Sequence, residues 1–191
     1  EGETELNPSK IRPLKSRPVR ILASAAVCLG LLASAGVVGA NPGASMSVTP
    51  ATIEVSAGES FTVEIVIESD IELSGAQCIL TYDAAVVQCD AVEKGTFFDE
   101  NAPDGATVLW MGLPPAIDND AGSVANVAAL VVEYAVLGGV TGSGTFVTAE
   151  FTGLADGETE IGFRKKSLSD VVAADVLDAS ATAMVRCGQR P

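Results

Sequence analysis

Histidine is absent from all 191 residues. That removes the commonest general base, the commonest zinc ligand and every Ser-His or Cys-His catalytic pairing. Aromatic residues are scarce at 5%, too few for the flat row of Trp and Tyr with which binders of crystalline polysaccharide stack on sugar rings. Positive charge is scarce as well, with 11 Lys+Arg against 25 Asp+Glu. Five of those bases (Lys10, Arg12, Lys15, Arg17, Arg20) and three of the acids (Glu1, Glu3, Glu5) fall within residues 1–40. This leaves six bases against 22 acids in the remainder, a net charge of −16. Such a surface repels phosphate backbones and argues against a nucleic-acid partner. No Asp or Glu sits in a recognisable catalytic pair, so the chain reads as a non-enzyme with no cofactor.

The cysteines are few and carry no motif. Beyond residue 40 only Cys78, Cys89 and Cys187 remain, an odd number that permits one disulfide and a free thiol in an exported chain. Each lies in or at the end of an apolar run, and the expectation is burial as thiols. Without a C-x-x-C or a histidine, zinc binding and redox catalysis are remote.

What is present begins with a targeting pattern. Lys10–Arg20 is basic and Ile21–Ala40 is uncharged, ending in Val38-Gly39-Ala40 before Asn41. Basic, apolar and small-residue regions in that order form a secretory signal peptide. Cleavage before Asn41 is expected, giving a secreted or cell-surface product. The competing reading is a retained anchor, because twenty residues at helical rise span about 30 Å of bilayer; only then is a membrane involved. Residues 41–45 (NPGAS) form a linker, residues 46–187 the folded domain, and residues 188–191 a tail. The chain opens on Glu1 without a methionine, which fits a third reading, a spacer domain of a larger surface protein.

The domain is patterned for strands. Ser60–Glu68 alternates Phe61, Val63, Ile65 and Ile67 against Thr62, Glu64, Val66 and Glu68. Ala76–Tyr82 alternates Ala76, Cys78, Leu80 and Tyr82 against Gln77, Ile79 and Thr81, which marks a strand with one buried face. Ser69–Leu73 reads as a connection between the two. Asp83 follows at a corner, where its short side chain can bond its own backbone, and Val86–Cys89 opens the next strand. Ala106–Leu113, holding the single Trp110, reads as a short strand after a polar loop at Asp99–Gly105. Val124–Leu137 is the most apolar run, and its valines favour a strand buried on both faces. Gly144–Phe151 alternates again, Gly157–Phe163 follows, and Lys165–Asp170 leads to a closing strand at Ala179–Cys187. About nine strands between turn signals predict an all-β sandwich or barrel with almost no helix.

Several of these stretches resemble one family. Tyr82–Val87 (YDAAVV) resembles the YDP-x-VL corner of cohesin domains, with Ala84 in place of the proline and Val87 in place of the leucine. Val55–Ile65 (V-x-A-G-E-x-F-x-V-x-I) resembles the opening hairpin of cohesin modules. Val92-x-x-Gly95, Gly144–Phe151 and Gly157–Phe163 resemble the strands that follow. The resemblance covers Met46–Cys187. It implies a jelly-roll β-sandwich of about nine strands that binds a dockerin or dockerin-like module through one sheet face. In cellulosomal cohesins, the outward side of the strand before the Y-D corner carries the dockerin contacts. The matching row here is Gly75, Gln77, Ile79 and Thr81, which become the candidate partner-binding residues. The alternative function is a carbohydrate-binding or adhesive sandwich at the cell surface, for which Trp110 and Tyr134 are the candidates. Asp118-Asn119-Asp120-Ala121-Gly122 looks like the start of a calcium loop. Its glycine comes one residue early, however, and position twelve is Ala129, so a solvated turn is the expectation and no metal is assigned.

Overall fold

The computed structural model describes residues 43–188. The expected signal peptide, its cleavage before Asn41, the first linker residues and the end of the tail lie outside the described residues.

Alternation sets the first elements. β1 (Ala44–Thr49) buries Ala44, Met46 and Val48 and leaves the serines between them half-exposed. β2 (Thr52–Val55) leads to a turn where Gly58 takes a φ of 84°, a left-handed conformation that glycine adopts without steric cost. The Glu59 carboxylate closes this turn by accepting from the Ser56 amide at 2.8 Å.

β3 (Ser60–Thr81) is the axis of the molecule, a single strand of 22 residues. The expected connection at Ser69–Leu73 is instead continuous strand. Its buried positions are Val63, Ile65, Ile67 and Leu73, then Ala76, Cys78 and Leu80. The buried parity thus changes from odd to even between Leu73 and Ala76. Register irregularities at Ser69/Leu73 and Leu73/Gly75 accompany the change. A bend at that point lets one strand serve two sheets. Buried serine hydroxyls satisfy the bent backbone: Ser69 Oγ donates to Ile71 O at 2.7 Å, and Ser74 Oγ to Asp170 O at 2.6 Å. A buried carbonyl left unmet there would cost about 1–3 kcal/mol.

The remaining elements wrap around this axis. They are β4 (Val87–Lys94), α1 (Phe97–Asn101), β5 (Val108–Met111), β6 (Ile117–Asp118), β7 (Ser123–Val131), α2 (Tyr134–Leu137), β8 (Val140–Gly153), β9 (Gly157–Asp170), β10 (Leu177–Ala181) and β11 (Ala183–Cys187). One layer runs β4–β8–β3–β1–β10 and uses the first half of β3; the other runs β5–β7–β3–β9–β11–β2 and uses the second half. β6 adds to the edge of β7. The result is the expected jelly-roll β-sandwich, with eleven strands among the described residues where about nine were expected. Ile65, Ile67, Leu80, Phe146, Phe151, Ile161 and Leu168 are fully buried between the layers. Phe151 stacks on Phe61 and meets the edge of Tyr82, with centroids 5.7 and 5.2 Å apart.

Two expected strands divide. The closing strand breaks at Thr182: β10 pairs parallel with β1 in one layer, and β11 with β2 and β9 in the other. The run Val124–Leu137 is strand only as far as Val131. There the Glu133 carboxylate accepts from Thr107 N at 2.6 Å and from its hydroxyl at 3.1 Å, which turns the chain into the single helical turn of α2 and leaves Val132 and Val136 exposed. Valine content alone could not reveal that anchor.

Candidate functional site

The expected row lies on the outer face of the second layer. Strand register fixes its neighbours, because directly opposed residues of antiparallel strands have adjacent side chains. Gly75 sits between Leu130 of β7 and Ser169 of β9; Gln77 sits between Ala128 and Ser167; Thr81 sits between Ser123 and Gly162. Ile79 lies across from Lys165 on one side and, at a bulge, from the Ala125–Asn126 segment on the other. Gln77, Ile79 and Thr81 are half-exposed, whereas Gly75 is buried. A Cβ on Gly75 would come within 2.9 Å of Ala129 O, so this position contributes a close strand approach and no side-chain contact.

The apolar part of this face lies on β5 and β7, away from the strand that suggested the row. β5 borders β7, with Leu109 beside Leu130 and Met111 beside Ala128. Leu109 is 47% exposed, Met111 45% and Val132, one step beyond β7, 48%. Leu109–Leu130–Gly75 and Met111–Ala128–Gln77 therefore form two parallel rows across three strands. Leu109, Leu130 and Met111 make an apolar patch on this face, and Ile79 lies on the same face beyond Gln77; isolated exposed residues would need no explanation. Gln77, Ser167, Ser169 and Thr81 edge it with polar groups. Asn126, at the β7 bulge opposite Ile79, has Oδ1 buried without a hydrogen-bond partner among the described residues. A signal for Leu109 and Met111 was present: if Trp110 points inward, strand alternation sends both of its neighbours outward.

Trp110 does point inward. Its ring stacks on Phe146 with centroids 5.5 Å apart, meets Phe98 edge-on, and lies 5.8 Å from Lys94 Nζ. Its Nε1 donates to Asp99 Oδ1 at 3.1 Å. Burial pushes the Asp99 pKa up, but hydrogen bonds from Lys94 and Trp110 and the Lys94 charge outweigh it and hold the carboxyl below its ordinary value. Tyr134 is half-buried against the core. Neither of the candidate sugar-binding rings lies on an open aromatic platform.

The acidic loop has an internal use. Asp118 Oδ1 accepts from the amides of Asp120 and Ala121 at 3.1 and 2.9 Å. Asn119 turns inward, accepting from Tyr82 Oη and Cys89 N and donating to Cys89 O. Gly122 takes a φ of 62°, and its carbonyl accepts from Tyr82 N. Among the described residues no cluster of Cys, Asp or Glu has the arrangement of a metal site. Cys78, Cys89 and Cys187 are free thiols, all buried. Desolvation pushes the Cys78 and Cys89 pKa values up to about 12.

Residues 46–184 match the cohesin domain family. The chain belongs to that family. Cohesin domains are non-catalytic binding modules. No curated protein sequence matches the chain. Solved cohesin structures share its fold at low identity. The sixth cohesin of scaffoldin B from Acetivibrio cellulolyticus, crystallised with a Cel5 dockerin mutant, is 17% identical at a TM-score of 0.55, over 76% of this chain and 99% of that one. A type I cohesin–dockerin complex from Clostridium thermocellum is 12% identical at 0.58, over 81% and 99%. A non-cellulosomal cohesin from the archaeon Archaeoglobus fulgidus is 12% identical at 0.55, over 77% and 92%.

Proposed function

We propose that this cohesin domain is exported and docks a dockerin-like protein on the outer face of β5, β7, β3 and β9, as a non-catalytic module of an extracellular assembly. The observation that carries the reading is the apolar patch of Leu109, Met111 and Leu130 with Ile79 on the same face, bordered by Gln77, Ser167, Ser169 and Thr81. An apolar centre with a polar rim is the anatomy of a protein interface. Dockerin complexes of two of the similar cohesins support the partner class. The commitment of Trp110 to Phe146 and Asp99 supports a protein partner over a sugar, because a stacking platform needs free ring faces. Residues 1–40 act in this reading as the signal peptide, and the assembly acts on a polysaccharide.

The test is calorimetric titration of the full chain with each dockerin module encoded by the source organism, purified singly. One or more should bind. Met111→Asp should weaken that binding by roughly thirtyfold or more, the loss of an interface hot spot, with the thermal melt unchanged. Binding that ignores Met111→Asp and Ile79→Asp would remove the proposed face.

A further inference from the structure

We infer that the partner's docking surface carries one or more carboxylates beside its apolar ridge, and that Arg164 and Lys165 receive them. The inference rests on the docking reading above and specifies the chemistry of its partner. Charge distribution carries it. The described residues hold 22 Asp and Glu but five bases: Lys94, Arg164, Lys165, Lys166 and Arg186. Two of the five are committed internally, Lys94 to Asp99 and Arg186 to Glu158 at 3.0 Å. The other three are consecutive, and all lie on β9 beside the docking face.

Strand geometry decides where they point. β9 pairs Lys165 with Ile79 and Phe163 with Leu80, so Arg164 is the extra residue of a bulge. At a bulge two residues oppose one on the neighbouring strand; here Arg164 and Lys165 both oppose Ile79. Both are exposed, and neither holds a carboxylate among the described residues. Lys166 is used differently: it pairs with the buried Cys78, and its Nζ lies over the Phe163 ring, 5.4 Å from the centroid. The bulge thus sets two unpaired cations on the rim of the apolar patch, on a molecule that is otherwise strongly acidic.

That contrast bears on selection. The long-range field of so acidic a domain draws basic surfaces, but it is screened beyond about 10 Å at 0.1 M salt. At contact distance a basic surface seated on Ile79 meets Arg164 and Lys165, and like charges juxtaposed across an interface reject the wrong partner. A carboxylate at the same point gains charge-assisted hydrogen bonds, bidentate to the Arg164 guanidinium. The pair therefore sets which partner docks, while the apolar rows supply the adhesion.

The experiment is a charge swap on the dockerin that binds in the titration above. R164E/K165E should weaken it about tenfold or more, chiefly by slowing association, with the thermal melt unchanged. Changing the dockerin's facing Asp or Glu to Lys should weaken binding to the wild-type chain and restore it to R164E/K165E. If R164E/K165E binds within twofold of wild type, or more tightly, while Met111→Asp still abolishes binding, the acidic-partner inference fails and the docking face stands. If no dockerin binds, or if Met111→Asp disperses a homodimer, a different occupant covers the face and both readings fall.

Discussion

Tyr82 and Asn119 meet at 2.6 Å across 37 residues of sequence, the phenol donating to the amide oxygen. The same oxygen accepts from Cys89 N at 2.9 Å, and Asn119 Nδ2 returns a bond to Cys89 O at 3.0 Å. One side chain thus closes the edge of β4 and fixes the phenol at the end of β3. Asn119→Ala leaves a strand amide, a strand carbonyl and a buried phenol to find water together. It should lower stability by about 1–3 kcal/mol, and Tyr82→Phe by about 1 kcal/mol. Urea denaturation of both singles and the double would expose the coupling. Additive losses would mean that the two residues do not share this network.

The same side chain explains why a calcium-like sequence should behave as a plain turn. Asp118 is occupied by two amides of its own loop and Asn119 faces inward, so the oxygens of this stretch do not converge on a cation. Millimolar calcium should leave the melting temperature unchanged, and EDTA should do the same. A calcium site filled to about 100 times its dissociation constant would add about 2.7 kcal/mol. A rise of several degrees in calcium would defeat the turn reading.

The buried thiols make a pH prediction. Cys78 and Cys89 shift from 9.0 to about 12, and Tyr82 from 10.0 to about 12, with desolvation the largest cause in each case. In all three the folded pKa lies above the unfolded value, so between about pH 9 and 12 the native state holds more protons than the unfolded chain. Stability must then fall as pH rises through that window, and these groups contribute no slope below it. Equilibrium urea unfolding at stepped alkaline pH checks the sign. At pH 8 a maleimide should leave Cys78 and Cys89 unlabelled in the native chain and label both in denaturant, because the thiolate is the reactive form. Rapid native labelling of either would contradict their burial.

Much of the fold was legible because strand alternation reports directly on burial. Phe61–Ile67 and Ala76–Tyr82 have the expected faces, and Asp83 Oδ1 accepts from Ala85 N at 2.9 Å as its place at the corner suggested. What was not legible depends on contacts distant in sequence. The change of parity within β3 needs Ser74 to reach Asp170, and the end of β7 needs Glu133 to reach Thr107. The proposed row of Gly75, Gln77, Ile79 and Thr81 came from the resemblance and the alternation of one strand. Its apolar complement on β5 and its basic rim on β9 become visible once register joins three strands that lie far apart in the chain.

Ile65 and Ile79 lie on the same long strand and should respond oppositely to the same substitution. Ile65 is fully buried between the layers, so Ile65→Ala removes packed atoms and leaves a cavity, at a cost of about 2–5 kcal/mol. Ile79 faces outward and half-exposed between Lys165 and Asn126. Its truncation removes little buried area from the free chain and should cost about 0.5 kcal/mol, near the range of surface changes. In the proposed complex, however, its remaining exposed area is desolvated, and truncation of such an interface residue costs about 1–2 kcal/mol of affinity, roughly a five- to thirtyfold loss. Urea unfolding and dockerin titration of the two variants separate the effects: Ile65→Ala should lose stability first, Ile79→Ala affinity first. If Ile79→Ala proves as destabilising as Ile65→Ala, the residue is core, and the outer face loses that contact.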